Sequence, residues 1–388
     1  MEAEVDDPLW PPPYVVQDDM MVATAGYEAS TSWPRPEYVA DNITYERLLI
    51  LLEHQIIDAM PNFTNGLPPC ELCLHQSKEP AYLNYNLVVI GIILPIVGFF
   101  GLIGNALSAF TYSRPEMRSS TNNYLCALAC SDSAVILTGI FIFTVDSIRR
   151  YSLPINTLFA AMSPTLYTMG LIAQTCSVYF TVVAGIDCFI QVCLPTKIKN
   201  LSTGRGITRN TILAVVLFSI LYNIPHCFEA VVISCYHNQY DGPSYEVCPA
   251  PLRYNEMYAT VYYKYMYSIF LAVGPLILLI MLNVCIITVS VFSSGPSNNG
   301  DTISLILVVL LFIFCNSAAL LLNIFEEELD ERLKHNMNYI IDLSNLLVVF
   351  NSSFNFVIYM KFSDAFRNTL KLHLNGRRAV KTSRTSRV

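Results

Sequence analysis

The 388-residue chain is 53% hydrophobic and only 14% charged, where an ordinary soluble domain carries about 25% charged residues. That balance excludes a soluble globular protein. The formal net charge of −7 averages over strongly segregated signs, and nucleic acid is not an expected partner.

The leader, 1–85, opens Met1–Glu2–Ala3–Glu4, with no basic start and no early apolar core. No cleavable signal peptide is expected, and the first apolar run serves as the signal anchor. Trp10–Pro11–Pro12–Pro13 and Trp33–Pro34–Arg35–Pro36 argue against regular structure there, so the leader reads as largely disordered apart from a short amphipathic stretch, Arg47–Met60. Asn42–Ile43–Thr44 and Asn62–Phe63–Thr64 are glycosylation sequons.

Seven apolar runs follow, at 87–112, 122–145, 164–192, 207–230, 261–292, 302–325 and 336–360. Each reaches the roughly 20 residues that a bilayer-spanning helix needs. In lipid every backbone N–H and C=O must be satisfied within the segment, which a helix does. The expected fold is therefore an all-α membrane protein, a seven-transmembrane helix bundle over 86–361, with a short helix and basic tail at 362–388. Short loops on one side carry the cations: Arg114 and Arg118; Lys197, Lys199, Arg205 and Arg209; and the tail from Lys361 to Arg387. The other side carries the acidic leader and Glu326–Glu331. The positive side marks the cytoplasm, so the N-terminus is expected outside.

An ionisable residue inside a membrane helix is costly and usually functional. Asp132 in mid-helix two and Asp187 at the inner end of helix three are the two carboxylates to explain. There is no internal repeat of the transporter kind and no filter loop or charged ring. No nucleophile–base pair, metal-ligand helix or phosphate loop is visible, so an enzyme is not expected. A transporter or channel is the remote alternative to a receptor.

The bundle resembles the rhodopsin-like G-protein-coupled receptors over about residues 85–373. Asn105 in helix one, Asp132 in helix two, Pro275 in helix five and Asn355–Phe356–Val357–Ile358–Tyr359 in helix seven match that family's marks, and Phe362–Arg367 matches its helix beneath the membrane. Within it, Tyr222–Asn223–Ile224–Pro225–His226–Cys227–Phe228–Glu229 resembles the end of helix four in FMRFamide-type neuropeptide receptors. Ala173–Tyr179, Pro251–Asn255, Leu282–Asn283 and Asn351–Phe356 resemble the same group, in order.

The resemblance implies a cell-surface receptor for an RFamide-like peptide that signals to a heterotrimeric G protein. It implies that Asp132, Ser177, Asn351, Ser352 and Asn355 converge in mid-bundle, as a sodium site or a hydrogen-bond network, since a buried carboxylate needs partners and oxygens suit a hard cation. It also implies an outer pocket with carboxylates for a cationic peptide, for which Glu229 and Glu326 are candidates, lined by Tyr167, Gln174, Tyr258 and Tyr262. The family's usual outer cysteine of helix three would fall near Ser163, which cannot bridge. Cys235 and Cys248 can staple the fourth-to-fifth loop as a hairpin or pair with Cys70 and Cys73. Four cysteines allow three complete pairings, and a disulfide is favoured over a metal site at Cys70–His75 outside the cell.

The cytoplasmic face departs from the family. Asp187–Cys188–Phe189 stands where relatives have Asp-Arg-Tyr, so the arginine fork is missing. Ser293–Gly300, between helices five and six, has no cation and is punctuated by Gly and Pro. Ala318 replaces the helix-six proline that kinks relatives, Asn316 stands at the usual tryptophan, and both tryptophans lie in the leader. Coupling through Asp187, Cys188, Phe189 and Tyr359 is therefore unusual, and a non-coupling decoy or modulator is the alternative. The tail, Thr382–Val388, offers hydroxyls whose phosphorylation can recruit an arrestin, a terminal Ser386–Arg387–Val388 that fits a PDZ groove, and cations for anionic lipid.

Overall fold

A computed structural model describes residues 67–70, 73, 79–202, 204–292, 300–324 and 336–385. Seven helices are long and apolar enough to cross a membrane: α1 Pro80–Tyr112, α2 Ser120–Arg149, α3 Leu153–Cys193, α4 Gly206–Phe228, α5 Glu256–Ser290, α6 Gly300–Ile324 and α7 Met337–Phe362. After the seven spans a further helix, α8, runs Asp364–Thr385. Its start hydrogen-bonds to the end of α7, Ser363 Oγ accepting from Phe366 N at 3.0 Å. The sequons Asn42 and Asn62, Glu326 and the terminal Ser386–Arg387–Val388 lie outside the described residues.

Three helices start well before their apolar runs. α1 begins at Pro80, where proline suits the first helical turn because its missing N–H would be unpaired anyway. α3 begins at Leu153 and continues through Pro164. α5 begins at Glu256, with Asn255 capping Tyr258 N, and is wound as a wide π-helix over Ala259–Ala272.

Small residues let the helices approach, as they do where no hydrophobic drive operates between membrane helices. A Cβ on Gly101 of α1 would stand 2.2 Å from Ser353 Oγ of α7, so only glycine fits that crossing. The main core joins Tyr112, Leu128, Phe180, Cys188, Ile286, Leu305 and Tyr359. Phe99, Phe100 and Phe314 point outward with most of their rings exposed, as lipid-facing side chains do.

Between α4 and α5 lies a two-stranded antiparallel hairpin, β1 Ala230–His237 and β2 Gly242–Pro249. Asp241 in its turn takes a positive φ of 48°. The cysteines of the hairpin do not pair with each other: Cys70 bridges Cys235 and Cys73 bridges Cys248. Of the pairings left open by the sequence, the structure takes one that joins the hairpin cysteines to Cys70 and Cys73, and the hairpin staple is set aside. The register explains it, since Cys235 faces Ser244 and Cys248 faces Val231, which puts the two cysteines at different rungs. Leader residues 68–70 instead pair alongside β1, with Tyr236 N donating to Pro68 O at 2.7 Å and Cys70 N to Tyr236 O at 2.9 Å. Both sulfurs beside Glu246 are spent in that bonding, so Cys73, Cys248 and Glu246, although close enough to resemble a metal cluster, offer no thiolate. With Ser163 on α3, the hairpin meets that helix through hydrogen bonds, Asn156 Nδ2 donating to Ser244 Oγ at 3.2 Å.

Candidate functional site

The chemistry gathers at the hairpin end of the bundle. The last turn of α4 and the first turns of α5 bring Tyr222, His226, Tyr258, Tyr262 and Tyr263 into one aromatic wall, with successive ring centroids 5.1–5.9 Å apart. The wide winding of α5 places Tyr262 and Tyr263 both inward, 6% and 5% exposed. Tyr262 is anchored by its hydroxyl donating to Tyr222 O at 2.7 Å.

Glu229 sits behind this wall and is 2% exposed. Its Oε2 contacts His226 Nδ1 at 2.8 Å and accepts from Tyr263 at 2.5 Å, and its Oε1 accepts from Tyr258. This corrects the reading of Glu229 as an open carboxylate for a cationic ligand. A buried carboxylate must be satisfied, and three neighbours do so from inside. Burial alone would raise its pKa; the bonds from His226, then Tyr258 and Tyr263, outweigh that and hold the carboxyl below its ordinary value. Tyr258 is likewise spent on Glu229 and is not a free lining residue.

In front of the wall lies a cleft between α3, α4, α5 and α6 that encloses about 730 Å³, part of it open to solvent. Gln174 and Tyr262 line it, as the sequence suggested, together with Tyr222, Asn223, Tyr267 and Asn316. Three buried polar atoms along it have no partner within the protein: the acceptors Gln174 Oε1 and Asn223 Oδ1, and the hydroxyl Tyr222 Oη. Asn223 is oriented firmly, because its Nδ2 donates to Thr175 Oγ1 at 2.9 Å and to Ser219 O at 2.7 Å, which turns Oδ1 away from both. Tyr167 stands at the cleft's edge, its ring edge-on to His226 at 6.2 Å. His226, Tyr263 and Asn223 were not singled out from sequence, although the three-residue spacing of His226 and Glu229 at the helix end was a readable sign of a pair.

In mid-bundle, Asp132 Oδ1 accepts from Ser177 Oγ at 2.6 Å and Oδ2 from Asn355 Nδ2 at 2.8 Å. Ser352 is a further hydrogen-bond partner of that carboxylate, and Asn105 Nδ2 donates to Ser352 O at 2.9 Å. Asn351 is buried too, one residue before Ser352 on α7. The structure thus brings Asp132, Ser177, Ser352 and Asn355 together. The oxygens fit a hard cation: one carboxylate, two hydroxyls, and Asn355 Oδ1, which is buried without a partner.

A third carboxylate was missed. Asp342 of α7 is 3% exposed and accepts from Asn86 Nδ2 at 2.9 Å and Tyr82 Oη at 3.2 Å, both on α1. Ser147 of α2 donates to Asn86 Oδ1 at 2.6 Å. This knot ties three helices near the hairpin end and explains why α1 remains helical through its polar start.

At the opposite end, Asp187 has not lost its partner with the arginine. It accepts from Ser120 Oγ at 2.8 Å and Thr121 Oγ1 at 2.5 Å at the start of α2. Cys188 is 5% exposed within the main core, and Phe189 packs against it. Tyr359 is buried between Tyr112 and Phe366. The first turn of α6 presses on the α7–α8 corner: Asp301 accepts from Ser363, and a Cβ on Gly300 would lie 2.5 Å from Phe362 O.

A seven-helix membrane protein with a cleft at one end and a buried polar core has the build of a receptor. Residues 104–359 match the family model of the 7 transmembrane receptor (rhodopsin family), and the chain belongs to that family; it is a multi-pass plasma-membrane protein and not an enzyme. It is 44% identical to the probable G-protein coupled receptor frpr-1 of Caenorhabditis elegans over 80% of this chain and 86% of that protein. It is 30% identical to the FMRFamide receptor of Drosophila melanogaster over 92% of this chain and 68% of that one. Against the sex peptide receptor of Drosophila melanogaster the identity is 23%, over 77% and 75%.

Proposed function

We propose that this protein is a receptor for an extracellular RFamide-like neuropeptide, with the hairpin end outside, and that it signals to a heterotrimeric G protein. The observation that carries the reading is the aromatic cleft holding two partnerless acceptors and an unpaired hydroxyl. Such a cleft calls for a ligand rich in N–H donors, and a peptide backbone supplies them. The ring of Tyr267 in the cleft lining suits a guanidinium, a role that Glu229 cannot take because its oxygens are occupied. The names of the relatives support the same ligand class.

A surface-binding screen of RFamide and related neuropeptides, with G-protein activation read in parallel, tests this. Binding with activation is expected. Binding without activation favours a non-coupling decoy or modulator, the second reading, for which the buried Cys188 and the contact of α6 with the α7–α8 corner speak. Cys188→Arg restores the missing cation and is expected to raise basal signalling in a coupling receptor. Silence of both forms would favour the decoy. A tail phosphorylated for an arrestin, bound by a PDZ protein or held on lipid completes the reading on the cytoplasmic side.

The polar core is proposed to hold a sodium ion in the resting receptor. Asp132 would supply the charge, with Ser177 and Ser352 hydroxyls and Asn355 Oδ1 as neutral ligands. Sodium is expected to raise the thermal stability of the purified wild type and to leave Asp132→Ala unchanged. An equal response of both would remove the ion from this site.

A further inference from the structure

The first turn of α6 meets three other parts of the chain with three successive residues. Gly300 lies so close to the end of α7 that a Cβ there would stand 2.5 Å from Phe362 O. Asp301 accepts a hydrogen bond from the hydroxyl of Ser363, in the link between α7 and α8. Thr302 is a side-chain hydrogen-bond partner of Cys188 on α3. Ser304 Oγ donates back to Gly300 O at 2.7 Å, which ties this turn to the rest of the helix.

Ser363 is the pivot. It is 2% exposed, and its single side-chain oxygen works twice: it donates to Asp301 and accepts from Phe366 N at 3.0 Å, which caps the start of α8. A hydroxyl does both at once because it has one donor and two lone pairs. Asp301 itself is exposed. A charged acceptor strengthens the bond, yet water readily replaces the hydroxyl at an exposed carboxylate, so the contact holds and can be released. What lies behind it is buried: Cys188 is 5% exposed and packs in the main core with Leu305 of α6.

We propose that the Asp301–Ser363 bond is an autoinhibitory latch: it ties the end of α6 farthest from the cleft to the α7–α8 corner, and while it is closed Cys188 stays covered. Opening is a swing of the first α6 turn away from Phe362 and Ser363, which also gives up the contact of Thr302 with Cys188. The latch contains no ion pair. Its one charge is on Asp301, so a partner that docks at this end and presents an N–H or an ammonium to that carboxylate competes directly with Ser363. The latch stands independently of which ligand the cleft takes.

The test uses the full-length receptor in detergent micelles and N-ethylmaleimide, with the labelling rate at each cysteine read by peptide mass mapping; neither ligand nor G protein is needed. Asp301→Ala removes the acceptor. Gly300→Ala leaves every hydrogen-bonding group in place and pushes the corner away with its Cβ. Each is expected to speed labelling of Cys188 about fivefold, the factor that one such hydrogen bond is worth. The exchange Asp301→Ser with Ser363→Asp puts the carboxylate on the α8 cap and the hydroxyl on α6. It is expected to return Cys188 to within about twofold of wild type, because aspartate caps a helix as serine does. Cys176 and Cys315, buried thiols elsewhere in the bundle, are expected to label at the wild-type rate throughout. Unchanged labelling of Cys188 in both single variants would overturn the latch. So would an exchanged pair that labels as fast as Asp301→Ala, or a rise at Cys176 and Cys315 in step with Cys188, which marks general loosening.

Discussion

Serine at both Cys73 and Cys248 is expected to abolish peptide binding while leaving the seven helices inserted. The bond joins residues 175 apart, and its companion, Cys70–Cys235, joins residues 165 apart. Cross-links over such separations are worth about 2–5 kcal/mol where the alternative is a free chain. Helices already held in a bilayer limit that freedom, which puts the effect at the lower end. The consequence for the site is larger than for the bundle. Cys73 N also donates to Glu246 Oε1 at 3.2 Å, and Cys73, Ile233 and Cys248 form their own small core. Without the bond that core opens, β2 loses its hold on the leader, and the hairpin that follows Glu229 is no longer set over the cleft. Ligand binding measured beside surface expression checks this: retained binding at normal expression would show that the Cys73–Cys248 bond is dispensable for the site.

Glu229→Ala is expected to be the most damaging single change near the cleft. It leaves His226, Tyr258 and Tyr263 without their common acceptor in a buried place. Each stranded donor costs about 1–3 kcal/mol, so a loss of about 3 kcal/mol or more is expected, seen as a lower melting temperature and a collapsed aromatic wall. Glu229→Gln keeps an acceptor oxygen and loses less. The pH dependence follows from the direction of the shift. The carboxyl is held below its ordinary value, so the stability it contributes is fully present above the usual carboxylate pKa of about 4 and is lost only as pH falls through the lower folded value. The carboxyl's share of the gap in melting temperature between wild type and Glu229→Gln is therefore expected to be lost only as pH falls below about 4. A gap that closes between pH 7 and pH 5 would contradict the assigned network.

The seven helices were legible because their lipid-facing residues are apolar, and lipid demands that. Their ends were not. Residues 80–86 and 153–163 turn polar side chains toward neighbouring helices or the hairpin, as in Tyr82 and Asn86 with Asp342, and Asn156 with Ser244. Hydropathy registers a solvent preference and is blind to partners supplied by distant chain. The same blindness explains Glu229. Its adjacency to apolar helix made it look like a free charge at a pocket rim, whereas its ligands Tyr258 and Tyr263 lie 29 and 34 residues on. Asp132 with Ser177 and Asn355 was legible through family resemblance, because that cluster depends on helix positions that the bundle preserves. The pairing of four cysteines depended on strand register, which composition does not encode.

The two cystines also decide where a load on the leader goes. In this molecule a pull on residues 70–73 is delivered to β1 and β2, and the strands run directly into α4 at Phe228 and toward α5 at Glu256. Among the described residues no disulfide carries it to α3, which meets the hairpin through packing and through the hydrogen bond of Asn156 to Ser244. Tension from anything that grips the leader would thus arrive as torque on the α4–α5 pair, the two helices that carry the tyrosine wall, with α3 acting as the fixed post against which they turn.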